Sequence, residues 1–175
     1  MKKLLSLIVL IHNTLTIVVM KVLFLCHANM CRSPLAEGLL KHILKLNNID
    51  AEVDSAGFEA YHINESPDDR AIIKAREKGI DISKKRVRLF TREDFDIFDK
   101  IYVMDTLAYR NALYFARNEN DIMKVDYLMN VIRPGRNESI PDPFFRNMTV
   151  TDETFDILQQ ACSRIADQIV KPQLN

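Results

Sequence analysis

A chain of 175 residues is long enough to bury one ordinary hydrophobic core without disulfide or metal staples, so a single domain is expected. Lysine plus arginine equal aspartate plus glutamate at 24 each, which removes global charge as an argument for nucleic acid or an anionic membrane as partner. Three cysteines, Cys26, Cys31 and Cys162, are too few and of the wrong parity for a secreted disulfide framework, and they imply a reducing, cytoplasmic setting.

At the start of the chain, Lys2 and Lys3 followed by an apolar run over 4–11 imitate a secretory signal. His12, Asn13 and Thr14 interrupt that run, and no small-residue cleavage site precedes the first strand. The segment is also short for a membrane span. Residues 1–19 are therefore read as an extension ahead of a domain covering 20–175, with Met20 as an alternative start; a genuine signal there would imply secretion instead.

The apolar run over 22–25 predicts a buried parallel strand. Ser33 is placed as the cap and Pro34 in the first turn of a helix reaching Leu46, with Leu35, Leu39, Ile43 and Leu46 on one face. A strand over 51–55 and a helix over 68–78 closed by Gly79 follow. Thr91 with Asp94 resembles a capping box for a short helix to Phe98, and 101–104 reads as another strand. Asp105 or Thr106 caps the next helix, 122–128 is a weaker fourth strand, and Thr151 opens a long helix that buries Phe155, Leu158, Cys162, Ile165 and Ile169. Strand alternating with helix implies an α/β fold around a mostly parallel sheet, whose ligands sit at the carboxyl ends of strands.

Cys26 lies at such an end, opening the run Cys-His-Ala-Asn-Met-Cys-Arg-Ser-Pro over 26–34. A loop of this length can wrap its N–H groups around a tetrahedral oxyanion, and the helix N-terminus that follows adds unpaired donors. Arg32 can give phosphate two parallel hydrogen bonds that tighten as charge develops on its oxygens. An ordinary thiol is only about 3% ionised at pH 7, and the positive field of helix end and guanidinium favours the thiolate. The Ser33 hydroxyl is suited to a hydrogen bond to that sulfur, and Asn29 to bracing the loop. No Cys/His spacing matches a zinc site and the Gly-Lys-Ser/Thr nucleotide loop is absent, so no metal or cofactor is expected and ATP or GTP hydrolysis is not indicated.

This stretch resembles the signature of the low-molecular-weight protein tyrosine phosphatases, Cys-x-Gly-Asn-x-Cys-Arg-Ser-Pro. The likeness continues in order through Val53-Asp54-Ser55-Ala56-Gly57, Ser66-Pro67-Asp68 with Arg70, Arg88, Thr91-Arg92-Glu93-Asp94-Phe95, Tyr102-Val103-Met104-Asp105 and Asp142-Pro143. The resemblance implies a three-layer fold with a four-stranded parallel sheet in the flavodoxin-like order 2-1-3-4. It also implies a metal-free, two-step phosphatase acting on tyrosine-phosphorylated proteins and small aryl phosphates, as a monomer or weak dimer.

A phosphate monoester needs an acid to protonate its leaving oxygen. The resemblance assigns that role to Asp142, in a loop stiffened by Pro141 and Pro143. It further implies that His27, Ala28, Asn29, Met30, Cys31 and Ser33 surround the substrate, with Tyr61, Phe144 and Phe145 as aromatic walls that suit a phenolic ring. Cys31, as in relatives, would form a reversible disulfide with Cys26. Cys162 reads as core.

Two departures stand out. Ala28 replaces the loop glycine, which would cost about 1 kcal/mol or more if the position requires a positive φ. Phe144 and Phe145 replace a tyrosine pair, removing the hydroxyls that kinases modify in some members, and Ala108 replaces an asparagine. The competing readings are an arsenate reductase on the same fold, which needs relay cysteines missing between Arg32 and Cys162, and a non-catalytic phosphopeptide-binding module. Phosphoarginine ranks below phosphotyrosine, because members acting on it tend to have threonine where this chain has Met30.

Overall fold

The computed structural model describes residues 19–143 and 152–170. Strand β1 (Met20–Leu25) lies inside a four-stranded sheet, between β2 (Ala51–Ala56) and β3 (Lys100–Val103), with β4 (Val125–Tyr127) beyond β3. Every pairing is parallel and the order is β2-β1-β3-β4, the 2-1-3-4 order expected. Alternate residues of β1 serve opposite faces, as the two-residue period of a strand requires. Val22 and Phe24 pack toward helices α1 (Arg32–Leu46), α2 (Asp69–Glu77) and α6 (Asp152–Val170). Leu23 and Leu25 join Phe90, Phe95, Ala108 and Ala112 on the other face, which carries α3 (Asp94–Ile97) and α4 (Thr106–Phe115). The result is the expected three layers.

Three helices begin where a short polar side chain satisfies an unpaired N–H group of the first turn. Asp68 accepts from the Arg70 N–H, Asp105 from Ala108 and Asn118 from Asp121. Gly79, at φ 76°, supplies the left-handed residue that ends α2. In α6, Phe155, Leu158, Cys162 and Ile165 are all buried as the spacing predicted, and Ile169 packs at the margin. The cap assigned to Thr151 falls outside the described residues.

Three expectations are corrected. Ser33 does not cap α1: the helix begins at Arg32 after Cys31 without a side-chain cap, because the Ser33 hydroxyl is engaged with Cys26. The buried stripe of α1 runs through Leu35, Leu39, Leu40 and Leu44, while Leu46, the last residue of the helix, is 68% exposed, so the apolar face ends one step before the spacing predicted. The strand predicted over 122–128 is mostly something else. Asn118 starts a helix, α5 (Glu119–Lys124), which absorbs Ile122 and Lys124, and a 3-10 turn, Leu128–Val131, takes up Leu128. Only Val125–Tyr127 pairs with β3. Among the described residues no helix is long and apolar enough to cross a membrane.

The order places β1 at the point where the chain turns from one side of the sheet to the other, and the crevice beyond the ends of β1 and β3 is where open α/β sheets hold ligands. Leu25 leads there into Cys26, and Val103 into Met104 and Asp105.

Candidate active site

The loop over 26–31 is braced from below by side chains. Asn29 is left-handed at φ 56°, a conformation that asparagine tolerates better than most residues. Its Nδ2 donates to Ser33 Oγ at 2.9 Å and to Ser55 Oγ at 2.9 Å, while its Oδ1 accepts the Arg88 N–H at 3.2 Å. Ser55 passes its own hydrogen to Glu37 Oε2 at 2.7 Å, and Lys85 holds that oxygen at 3.1 Å. Because Ser33 Oγ accepts from Asn29, its hydrogen is left for Cys26 Sγ, 3.0 Å away. The buried chain Lys85, Glu37, Ser55, Asn29, Ser33 thus aims one O–H at the sulfur.

Ala28 is not among the described residues with positive φ, which apart from glycines are Asn29, Asn48, Asn64 and Asn137. The strain foreseen for alanine in the loop does not arise. Close approach is instead required at Gly57, where a Cβ would lie 2.7 Å from Asn29 N, 2.8 Å from Ala28 C and 2.9 Å from His27 O. The next two residues fix the loop from the same side: Phe58 and Glu59 N–H groups both donate to His27 O, at 2.7 and 3.3 Å.

Arg32 is only 2% exposed. One terminal nitrogen donates to Asp105 Oδ2 at 2.7 Å and to Ile140 O at 2.9 Å, and the other to Asp142 Oδ2. Burial works against its charge, but the fields of Cys26, Asp142 and Asp105 outweigh burial and hold the guanidinium above its ordinary value. Its Nε is buried with no hydrogen-bond partner among the described residues, a donor suited to an oxyanion. Cys31 differs from a reactive thiol: burial first, then the fields of Asp68, Cys26 and Asp142, push its pKa far up and keep it protonated.

These groups share one cavity, open to solvent. Of the residues singled out from the sequence, Cys26, His27, Ala28, Met30, Cys31, Arg32, Tyr61 and Asp142 line it. Asn29 and Ser33 stand behind the wall at 0% exposure, and Tyr61 is a rim residue at 86%. Phe144 and Phe145 lie outside the described residues. Sequence reasoning missed Glu59 and His62, which line the same cavity, and Asp105, which orients Arg32. A signal existed for all three, since each follows the carboxyl end of a strand flanking Cys26. Glu37 and Lys85 gave none, because their ion pair joins a helix to a distant loop.

The family description "Low molecular weight phosphotyrosine protein phosphatase" matches residues 21–174. The human low molecular weight phosphotyrosine protein phosphatase is 34% identical over 149 residues, covering 82% of this chain and 89% of that protein. A crystal structure of a protein tyrosine phosphatase from Entamoeba histolytica, with Hepes in its active site, superimposes with a TM-score of 0.77 at 27% identity, covering 89% of this chain and 99% of that one. A structure of YwlE arginine phosphatase, a mutant with a phosphorylated active-site serine, gives 0.77 at 26% identity, covering 88% and 98%.

Proposed function

Since the chain belongs to the low molecular weight phosphotyrosine protein phosphatase family and is a hydrolase of that kind, we propose that it dephosphorylates tyrosine-phosphorylated proteins through a cysteinyl-phosphate on Cys26. The observation that carries this reading is the meeting of Cys26, Arg32 and Asp142 on one cavity wall, with the Ser33 hydrogen directed at the sulfur.

The phosphate oxygens take the loop N–H groups and Arg32 Nε, and displace Asp142 from the guanidinium. The Cys26 thiolate attacks phosphorus, the P–O bond to the phenol breaks, and Asp142 as the acid gives its proton to the departing oxygen. Water then attacks the cysteinyl-phosphate, the Asp142 carboxylate removes a proton from it, and inorganic phosphate leaves as the thiolate is regenerated. Asp105 and Ile140 O hold Arg32 throughout, so it meets each new charge without rearranging.

The wall between Met30 and Tyr61 is apolar and favours an aryl ring over a short phosphoserine side chain. Cys162, fully buried with its thiol on Ala36 O, is poorly placed to relay oxidation for an arsenate reductase. The three free thiols support a cytoplasmic site of action.

The test is hydrolysis of aryl phosphates and of phosphotyrosine, phosphoserine and phosphoarginine peptides. Wild-type turnover is expected to be fastest with phosphotyrosine and to vanish in Cys26→Ser. Asp142→Ala should lose about a hundredfold or more, most with poor leaving groups. Tight phosphate binding without turnover would replace the enzyme by a binding module, and preference for the phosphoarginine peptide would reassign the substrate.

A further inference from the structure

The chemistry just described occupies Cys26, Arg32 and Asp142, and it makes no use of three ionisable residues of the same cavity, namely His27, Glu59 and His62. Of these, Glu59 is tied by main chain to the loop that carries Cys26. Its N–H is tied to His27 O at 3.3 Å, beside the Phe58 N–H at 2.7 Å. The Phe58 ring in turn packs against Phe90 and Phe115 at 5.6 and 6.2 Å between centroids. The carboxylate therefore stands at the mouth as part of a rigid element, with its side chain 34% exposed.

Among the described residues, the carboxylates at this mouth face imidazoles and not lysine or arginine. Glu59 Oε1 faces His27 Nε2 at 3.5 Å, and on the same segment Glu65 holds His62 at 2.9 Å. The described arginines nearby have other partners: Arg70 holds Asp68, Arg86 donates to Ser66 and to main-chain carbonyls, and Arg32 is met by Asp105 and Asp142. Cys26 lies at the floor, 3% exposed, so a phosphotyrosine side chain must fill the cavity while the substrate's main chain crosses the mouth. Residues flanking the phosphotyrosine then pass beside Glu59 and Tyr61.

We infer that Glu59 is a specificity-determining residue that selects phosphotyrosine sites flanked by lysine or arginine. The inference rests on the phosphotyrosine reading given above. A partly solvated ion pair of this kind supports a preference of about two- to fivefold in kcat/KM, and the preference should shrink at high salt.

The experiment uses the full chain and two phosphotyrosine peptides identical except for lysine or glutamate on both sides of the phosphotyrosine. Comparing the ratio of their kcat/KM values within each variant cancels any general effect of a substitution on catalysis. The wild type is expected to favour the lysine peptide, Glu59→Gln to lose that preference, and Glu59→Lys to reverse it. Equal turnover of both peptides by the wild type, or the same ratio in all three proteins, would overturn the role of Glu59 while leaving the phosphatase reading intact. Turnover of neither peptide would remove the phosphotyrosine reading and this inference with it.

Discussion

The backbone of the phosphate-binding loop turns left-handed at Asn29 and not at Ala28, so the alanine occupies an ordinary conformation. Ala28→Gly is therefore expected to leave kcat toward an aryl phosphate unimproved. It should also cost about 0.4–1 kcal/mol of stability in urea, because glycine has more unfolded conformations to lose. A several-fold rise in kcat would show that alanine does restrain the loop. The side chains proposed to meet phosphate, and the one that braces their loop, were legible one by one. Cys26 and Arg32 announce themselves by spacing between a strand and a helix, and Asn29 by residue type. What the sequence hides is the direction of each bond: that Ser33 turns its hydroxyl to sulfur rather than to capping α1 follows only once Asn29 is seen to donate to both Ser33 and Ser55.

Among the elements, β2 does more than widen the sheet. Its carboxyl end delivers Gly57, whose N–H donates to Arg88 O at 3.0 Å and whose carbonyl accepts from Phe90 at 2.7 Å, pinning it between the 88–90 segment and the loop. All three atoms that a Cβ would strike there are loop backbone, which cannot step aside as a flexible side chain would. Gly57→Val is thus expected to displace the loop and lower kcat/KM on the order of a hundredfold. Aryl phosphate kinetics alongside circular dichroism would check this; an active, folded variant would show that the contact gives way easily. The element pattern was readable wherever a strand is wholly apolar, as in β1, or a helix has a clear stripe, as in α6. It failed at α5 and β4, where the run read over 122–128 straddles the end of a six-residue helix and a three-residue strand and the Asn118 cap decides between them.

For the molecule as a whole, carboxylates tie distant segments together. Asp54 links β2 to Lys85 and Arg88, Asp68 holds Arg70, and Asp152 holds Lys74 across α2 and α6. Burial opposes ionisation of Asp54, but its bonds to Lys85 and Arg88 prevail, and bonds to Arg70 and Lys74 act alike on Asp68 and Asp152; all three lie below the usual 3.8. A carboxylate with a depressed folded pKa binds fewer protons in the folded state, so its contribution is complete above the unfolded value and is lost as pH falls through the folded one. The urea midpoint should accordingly hold steady from pH 7 to about 5 and drop below about pH 4. An unchanged midpoint at pH 3 would show that these pairs add nothing net. The ties from Asp54 and Asp152 could not be read in advance, because ion pairs joining positions far apart leave no local pattern.

The bond from Arg32 to Asp142 spans 110 residues, and Ile140 reaches the site only by donating its N–H to Met104 O, while the Met104 N–H is held by Leu25 O. In the reading proposed above, catalytic competence is therefore a strongly non-local property of the chain. Each parallel strand pairing must close a long loop before its contacts offset the lost entropy, and a partly assembled sheet holds the thiol without its acid.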